Sequence, residues 1–414
     1  MLHYRSEYYI IIFAGIPFTY AESQKRDRPP ACIFMGRRFT HMKSESVINQ
    51  SRMKQQNRAS VIYALWKNSP ISRTGLARET GLNKATITSI VASLEEEGMI
   101  VPSGSLKGSV GRAQNLLMFN EQYGLCGSIL FRPPVMKVAI SNVRARILWT
   151  RDLPFSSDQS PLDVLAQVAD LLEEGLSSCR AYSDNLLGIG VGTASLLRPD
   201  DKMLYAIHSI NWRNIPVVEY LQHRFRVPII ADTASNNAIL GEKHFGAAKD
   251  MDNAIYLSVG YGIGGGLLMN GRLYRGTNGF AGDLGHYVID PGGPFCPCGK
   301  RGCWEVMASA IAAQQSFEQL SEAAGQGDGA SVAALARIGR NLGLGISNLI
   351  SIFDPQLVVL GGDVVQAGDW VMVPCRNTVK ERVWPWVWER TRIEYSSLSG
   401  LVGCLTRVIE LLFV

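Results

Sequence analysis

Residues 276–305 read GTNGFAGDLGHYVIDPGGPFCPCGKRGCWE, and this stretch brings one histidine and three cysteines close together in the chain. The candidate metal ligands are His286, Cys296, Cys298 and Cys303. One imidazole and three thiolates match a closed tetrahedral zinc site, which leaves no position for water. A disulfide or unconnected thiols are the alternatives. The pattern predicts a structural zinc ion.

Between residues 54 and 94, the sequence shows three short helical patterns in succession. A first helix is predicted over residues 54–67 from apolar residues at helical spacing: Val61, Ile62, Leu65 and Trp66. Ser72 can cap a short second helix that ends at Gly81. Asn83 can cap a third helix, whose buried face would carry Ile87, Ile90, Val91 and Leu94. This order predicts a helix-turn-helix.

Two short apolar segments, residues 99–101 and 116–118, flank a glycine-rich stretch and predict the two strands of a wing. The third helix would then enter the major groove of DNA with its first residues. The residues expected to contact DNA are Ser72, Asn83, Lys84, Ala85, Thr86, Thr88, Ser89 and, at the wing tip, Arg112. A three-helix module with a merely solvated polar face is the alternative.

The charge distribution favours the DNA-binding interpretation. The net charge of +5 is made of +3 over residues 1–41, +5 over residues 42–112 and −3 over the rest. No apolar run reaches the roughly 18 residues needed to span a bilayer. A DNA-binding protein works in the reducing cytoplasm, where structural disulfides are rare, so zinc is preferred to a disulfide. The remaining cysteines are predicted to be ordinary thiols: Cys32, Cys126, Cys179, Cys375 and Cys404.

Residues 1–41 contain a short apolar run at residues 8–18, and the stretch that follows from Ser23 has no periodicity. We expect a disordered extension, or an artefact if translation starts at Met42 or Met53. A signal peptide is the alternative, but Glu7 lies inside the region that should be positive.

Beyond residue 120, short apolar runs alternate with amphipathic helices, which predicts an α/β architecture with two lobes and a cleft. The predicted strands are residues 138–140, 187–191, 229–230, 254–259 and 357–360, and helices are predicted from Pro161 and over 331–352. Glycine-rich segments follow two of these strands, at residues 260–266 and 361–363. Both are predicted to be loops, which could hold phosphate or serve as simple turns.

Residues 276–286, followed by the Cys-x-Cys-Gly-x-x-Gly-Cys-x-Glu pattern that ends at Glu305, resemble the signature of the ROK family of repressors, open reading frames and kinases. The resemblance runs from the helix-turn-helix to the C-terminus and includes residues 353–355 and 359–362. It implies a two-lobed, actin-like or ribonuclease H-like sugar-kinase fold with an added N-terminal winged helix-turn-helix. It also implies sugar contacts at Thr233, Asn236, Asp283, His286 and Glu305, with Asp283 standing where the family usually has glutamate.

The sequence departs from the kinase branch of that family at two places. The hairpin that holds ATP phosphate in the kinases, Asp-x-Gly-Gly-Thr, is replaced by residues 127–133, GSILFRP. Ala234 stands where the kinases have the aspartate that removes a sugar proton, and alanine cannot act as a base. We therefore predict that the protein is not an enzyme; a sugar kinase with an added DNA-binding domain is the alternative.

The predicted organisation is an extension over residues 1–41, a winged helix-turn-helix over 42–119, and a two-lobed sensor over 120–414 with a zinc knuckle at 286–303. The predicted function is sequence-specific repression of carbohydrate uptake or catabolism genes, controlled by a sugar or sugar phosphate in the cleft. The partners would be an operator duplex and a second copy of the chain, in a cytoplasmic homodimer or homotetramer without membrane contact. A regulator switched by a partner protein instead of a sugar is a further alternative.

Overall fold

The computed structural model describes residues 50–106, 114–156, 158–194, 204–207 and 212–413. The predictions for residues 1–41 and for Arg112 lie outside these ranges. No helix within them is both long and apolar enough to cross a membrane.

The N-terminal part is a winged helix-turn-helix. Its elements are α1 (Gln50–Asn68), β1 (Ile71–Ser72), α2 (Arg73–Thr80), α3 (Lys84–Glu96), β2 (Ile100–Leu106) and β3 (Gln114–Phe119). The three predicted helices and both wing strands are confirmed. Gly81 ends α2 in the left-handed conformation, with φ of 71°, where a side chain would be strained. The sheet has the order β1-β3-β2, and its two-residue strand β1 is too short to have been predicted from periodicity.

The first lobe contains one mixed sheet covered by helices. Its elements are β4 (Leu125–Arg132), β5 (Val135–Asn142), β6 (Ile147–Pro154), α4 (Pro161–Ser178), β7 (Leu186–Thr193), β8 (Leu204–Ile207), β9 (Trp212–Ile215), α5 (Val217–Phe225), β10 (Ile229–Thr233) and α6 (Ala234–Phe245). The five-stranded sheet has the order β10-β7-β4-β5-β6. Strands β4, β5 and β6 are antiparallel neighbours, whereas β7 and β10 are added in parallel.

The second lobe repeats this arrangement. Its elements are β11 (Ala254–Val259), β12 (Ile263–Met269), β13 (Arg272–Tyr274), α7 (Trp304–Ala308), α8 (Phe317–Gly325), α9 (Gly329–Phe353), β14 (Leu357–Gly361), α10 (Asp369–Arg382), α11 (Pro385–Trp388) and β15 (Arg392–Tyr395). The sheet order is β13-β12-β11-β14-β15, again with three antiparallel strands followed by two parallel ones. The predicted two-lobed α/β fold is confirmed.

The last helix, α12 (Gly400–Ile409), returns to the first lobe, where it packs on β4, β7 and α6. It also contributes to a hydrophobic core shared with the winged helix-turn-helix. In this core Val61 and Leu65 of α1 are buried together with Leu405 and Val408 of α12. The DNA-binding module and the sensor are therefore joined by packing as well as by the chain.

The prediction that residues 260–266 form a loop is wrong for the last four of them. Strand β12 begins at Ile263, so only Gly260 to Gly262 form the turn. A Cβ on Gly266 would lie 2.2 Å from the carbonyl oxygen of Ser235. The glycines of β12 thus let the start of α6 approach the sheet closely.

Candidate functional site

The four predicted metal ligands form one cluster. The ligand atoms of His286, Cys296, Cys298 and Cys303 all lie within 4.8 Å of one another. The Sγ atoms of Cys298 and Cys303 are 3.6 Å apart, and Sγ of Cys296 is 3.7 Å from Nδ1 of His286. A tetrahedron with Zn–S bonds of about 2.3 Å has edges of about 3.8 Å. The donor set and its spacing therefore fit a tetrahedral metal ion.

A disulfide does not explain the cluster. Every cysteine in the described ranges is a free thiol, and the Cys298–Cys303 separation of 3.6 Å is far longer than an S–S bond of about 2.05 Å. Burial raises the pKa of the Cys296 thiol to about 12, so a thiolate there requires a compensating cation. Within the described ranges, the cysteines outside the cluster are buried free thiols: Cys126, Cys179, Cys375 and Cys404. Cys32 lies outside these ranges.

Backbone turns at glycine hold the knuckle closed. The amide of Cys296 donates to the carbonyl of Lys300 at 2.8 Å, which closes a tight loop around the cluster. Gly302 has φ of 65°, and a Cβ there would overlap the carbonyl oxygen of Asp290 at 1.4 Å. Only glycine fits at this position.

Glu305 lies beside the His286–Cys303 cluster, in the first turn of α7. Its Oε1 is 3.5 Å from Nδ1 of His286, and its Oε2 accepts a hydrogen bond from the amide of Ile263 at 3.4 Å. Cys303 is the residue that precedes α7. An ion bound by His286 and Cys303 would therefore fix the position of Glu305.

The predicted sugar residues lie on both sides of the start of β12. On one side, α6 begins after Thr233, and Oγ of Ser235 lies 2.9 Å from where a Cβ on Gly264 would be. On the other side, Gly265 donates a 2.7 Å hydrogen bond to the carbonyl of Gly282, next to Asp283. Asp283 is exposed, whereas Glu305 is partly buried.

Two of the predicted sugar contacts have roles within the protein. Thr233 caps α6, its Oγ1 accepting a hydrogen bond from the amide of Asn236 at 3.1 Å. Asn236 is only 1% exposed, and its Nδ2 donates to Oδ1 of Asp232 at 2.7 Å. Its buried Oδ1 has no hydrogen-bond partner among the described residues. In this conformation Asn236 supports the wall of the cleft and does not line its surface.

Asp232 is the carboxylate nearest in sequence to Ala234, and both of its oxygens accept hydrogen bonds from other groups of the protein. Oδ1 also accepts from the amide of Thr233 at 2.8 Å, and Oδ2 accepts from Nη2 of Arg275 at 2.6 Å. A carboxylate held in an ion pair with both oxygens engaged is a poor general base.

An ion pair joins the lobes beside the turn that begins at Gly260. Arg132, at the end of β4, binds Asp363, which follows β14. A Cβ on Gly260 would lie 2.9 Å from Oδ2 of Asp363. The predicted loop at residues 361–363 is wrong for its first residue, because Gly361 ends β14. Its last residue, Asp363, is already bound to arginine.

The start of α3 forms the exposed surface of the helix-turn-helix. Asn83, Lys84, Ala85, Thr88 and Ser89 are exposed, and Thr86 is partly buried. The opposite face of α3 is fully buried through Ile87, Val91 and Leu94. The caps are as predicted, with Oδ1 of Asn83 accepting from the amide of Thr86 at 2.8 Å.

Ser72 differs from the other predicted DNA contacts. It is 8% exposed, and its Oγ accepts a hydrogen bond from the amide of Gly75 at 3.1 Å. Its hydroxyl also pairs with that of Thr74 at 2.8 Å. Ser72 therefore caps α2, as predicted, and its hydroxyl is engaged within the protein.

Two polar pairs near the cleft were missed from the sequence as functional features, namely Asp232–Arg275 and Arg132–Asp363. For the first pair, the sequence offers one local signal: Arg275 directly precedes the signature at residues 276–286. The partners of the second pair are 231 positions apart in the chain.

Comparison with known proteins agrees with this architecture. Residues 136–405 match the model of the ROK family, and residues 56–101 match a winged helix-turn-helix DNA-binding model. The protein belongs to the ROK family, in the class that carries a DNA-binding domain before the ROK domain.

Among its relatives, the chain is similar to the xylose repressor of Bacillus subtilis. The two are 33% identical over 349 residues, which is 82% of this chain and 90% of the relative. A solved ROK family transcriptional regulator, described as a homologue of the Escherichia coli MLC protein, shares the fold with a TM-score of 0.76 and 24% identity, over 87% of this chain and 97% of that one. A ROK glucokinase from Streptomyces griseus, solved with glucose and AMPPNP, matches 70% of this chain and 99% of its own with a TM-score of 0.59 and 25% identity.

Proposed function

We propose that the protein is a sugar-responsive repressor that binds operators of carbohydrate uptake and catabolism genes, and that D-xylose is its effector. The likeness to a xylose repressor over most of both chains supports the choice of sugar. The observation that carries the proposal is the packing of Trp66, in α1, against Phe245 at the end of α6. Their ring centroids are 5.2 Å apart, and the other end of α6 forms the wall of the cleft.

The DNA contacts are assigned to the start of α3. Small and hydroxyl-bearing side chains there allow the helix to approach base edges closely, and Lys84 can neutralise a phosphate. The side chains proposed to contact DNA are Asn83, Lys84, Ala85, Thr86, Thr88 and Ser89, together with Arg112 of the wing. A homodimer would present two such helices to half-sites about one helical turn apart, about 34–36 Å.

Replacing Lys84 by alanine should weaken operator binding about tenfold, or ~1.4 kcal/mol, because one phosphate contact is lost. Fluorescence anisotropy at several salt concentrations should show a shallower salt dependence. Lys380→Ala removes an equally exposed lysine from α10 and should leave binding unchanged. If both variants bind as tightly as the natural protein, Lys84 does not contact DNA.

The sugar is proposed to bind between Thr233 at the start of α6 and the segment that carries Asp283, His286 and Glu305. Carboxylates and imidazole suit hydroxyl groups because each can accept or donate directed hydrogen bonds. Asp283 stands where the family usually has glutamate, so its carboxylate is one methylene closer to the backbone.

Replacing Asp283 by asparagine is expected to weaken D-xylose binding at least tenfold in isothermal titration calorimetry, since a charged acceptor for a hydroxyl group is lost. Asp163→Asn, an exposed change on α4, is the matched control and should leave the affinity unchanged. Calorimetry against D-glucose and N-acetylglucosamine gives the selectivity. Tighter binding of either sugar than of D-xylose would contradict the proposed effector.

Helix α6 is proposed to carry the signal from sugar to DNA. Its first turn contacts β12 at the cleft, and its last turn places His244 and Phe245 against Trp66 of the DNA-binding module. Nε1 of Trp66 also donates to the carbonyl of Val143 in the sensor at 2.9 Å. A sugar that shifts α6 would therefore shift α1, and the two states would differ in their affinity for the operator.

The proposal also holds that the protein does not phosphorylate the sugar. Ala234 offers no base, Asp232 is bound by Arg275, and the Arg132–Asp363 pair lies next to the Gly260 turn where the kinases hold nucleotide. A coupled assay of ADP release with ATP and a panel of hexoses and pentoses should remain at background. Turnover above about 1 s⁻¹, the lower end of typical kinase rates, would establish the kinase alternative.

We further propose that the His286–Cys303 cluster holds a structural zinc ion. The four donors leave no position open, so the ion would not take part in a reaction. When bound, it would supply a fixed positive charge that keeps the three thiols as thiolates and orients the loop between Asp283 and Glu305.

A further inference from the structure

A further cavity lies where the winged helix-turn-helix meets the sensor, along the middle and end of α6, whereas the cleft lies at the start of α6. It has a volume of about 500 Å³, within the range of sites that bind small metabolites. Tyr63 of α1 forms one wall, and Leu240, Lys243 and His244 of α6 form another. The β12–β13 hairpin and α12 complete it. We call it the junction cavity.

The junction cavity is strongly cationic. Lys243, Arg272, Arg275 and Arg407 line it, together with one carboxylate, that of Glu410. Arg275 is bound by Asp232, which lies outside the lining, so the excess charge rests on Lys243 and Arg272. Glu410 is already shared, because it binds Arg407 and lies 3.2 Å from Nε2 of His244. The lining therefore carries more positive charge than its own carboxylate can neutralise.

Two of these four cations have no ion-pair partner among the described residues. Neither Lys243 nor Arg272 has an ion-pair partner in the part of the chain that the structure describes; Lys243 donates to the carbonyl of Gly271. Nε of Arg407 is buried and has no hydrogen-bond partner there. Burial lowers the pKa of Lys243, and the more distant Asp252 and Glu410 offset this only in part. Lys243 is partly buried and Arg272 is exposed. Two cations without ion-pair partners at a concave surface can bind a compact dianion.

We propose that the junction cavity is a second ligand site, separate from the sugar cleft, and that it takes a small phosphorylated metabolite. Guanidinium groups bind phosphate oxygens in pairs, and the Lys243 ammonium supplies a further charge. The volume leaves room beyond the phosphate group for a short polyol chain against Tyr63 and Leu273.

Its position gives the site a regulatory role. The ligand would touch Tyr63 in the DNA-binding module and three elements of the sensor at once. Tyr63 also packs edge-on against Phe413, with ring centroids 5.3 Å apart. An anion that draws these elements together would stabilise one arrangement of the DNA-binding module relative to the sensor, whatever occupies the cleft.

Isothermal titration calorimetry on the full-length, zinc-loaded protein tests the site with inorganic phosphate, ribose 5-phosphate and neutral ribose as probes. The phosphate-bearing probes should bind, and ribose should not bind in the junction cavity. The double variant Lys243→Gln/Arg272→Gln should lose at least tenfold in affinity for ribose 5-phosphate. If ribose 5-phosphate binds more tightly than inorganic phosphate, the site recognises a metabolite. If the two bind equally, the site recognises the phosphate group alone. Both results support an anion site in the junction cavity.

The matched control is Lys380→Gln/Arg340→Gln, which removes the same two charges from exposed positions on α10 and α9 and should bind like the natural protein. Equal losses in both double variants would overturn the proposal, as would a failure of both phosphate-bearing probes to bind. Loss of phosphate-probe binding on Asp283→Asn would assign the probe to the cleft and would also overturn the proposal.

If Lys243→Gln/Arg272→Gln weakens operator binding while no phosphate-bearing probe binds, the proposal is also overturned, and the two cations are a DNA contact. The double variant should still bind D-xylose, because neither residue is a proposed sugar contact. A loss of phosphate binding with D-xylose binding retained therefore concerns the junction cavity and not the cleft.

Discussion

Replacing Cys303 by serine is expected to abolish stoichiometric metal binding and to produce a large loss of stability. The natural protein should contain about one zinc ion per chain by elemental analysis, and the variant close to none. Cys303 is fully buried, so the change leaves two thiols and an imidazole without the ion that neutralises them. We expect a loss of about 4 kcal/mol, which corresponds to a fall in Tm of roughly 10 °C for a domain of this size.

Cys179→Ser is the matched control for this experiment. Cys179 is also buried, at 7% exposure, but it lies at the end of α4 and outside the cluster. It should keep one equivalent of zinc. A Cys303→Ser variant that also retains a full equivalent after dialysis would contradict the zinc assignment.

Replacing Trp66 by alanine is expected to destabilise the protein by about 3–5 kcal/mol and to uncouple DNA binding from the sugar. Trp66 is 5% exposed and packs against Phe245, His244 and Phe413. Its loss opens a cavity between the DNA-binding module and the sensor and leaves the carbonyl of Val143 without its donor. Chemical denaturation followed by circular dichroism measures the first effect, and operator binding with and without D-xylose measures the second.

Trp384→Ala provides the comparison, because Trp384 is 74% exposed at the start of α11. Its stability should stay within about 0.5 kcal/mol of the natural protein. If Trp66→Ala changes the stability as little as Trp384→Ala does, or if its operator binding still responds to sugar, the packing of α1 on α6 does not carry the signal.

The helix-turn-helix and the clustering of His286 with the three cysteines could be predicted from sequence because their signals are local. The caps Ser72 and Asn83 each bond an amide three residues away, and Gly81 ends α2 within its own turn. The metal ligands span only residues 286–303. Patterns of this length are fully contained in a short window of sequence.

The remaining features depend on contacts that no short window contains. Glycines at 264–266 read as a phosphate loop, yet their reason is the approach of Ser235 from α6 to a strand. The Arg132–Asp363 pair joins one lobe to the other. Asn236 has the residue type of a sugar ligand, but only the fold shows that it is buried against Asp232. Long-range packing decided each of these outcomes.

The most direct test of sugar-controlled repression is operator binding measured in the presence and absence of D-xylose. Fluorescence anisotropy would use a duplex from the region upstream of the protein's own gene and a scrambled duplex of the same composition. We predict specific binding that is at least tenfold weaker in saturating D-xylose, because a repressor of catabolic genes must release its operator when the substrate is present. Equal affinity for the two duplexes at every salt concentration, or specific binding that no sugar changes, would contradict the proposed function.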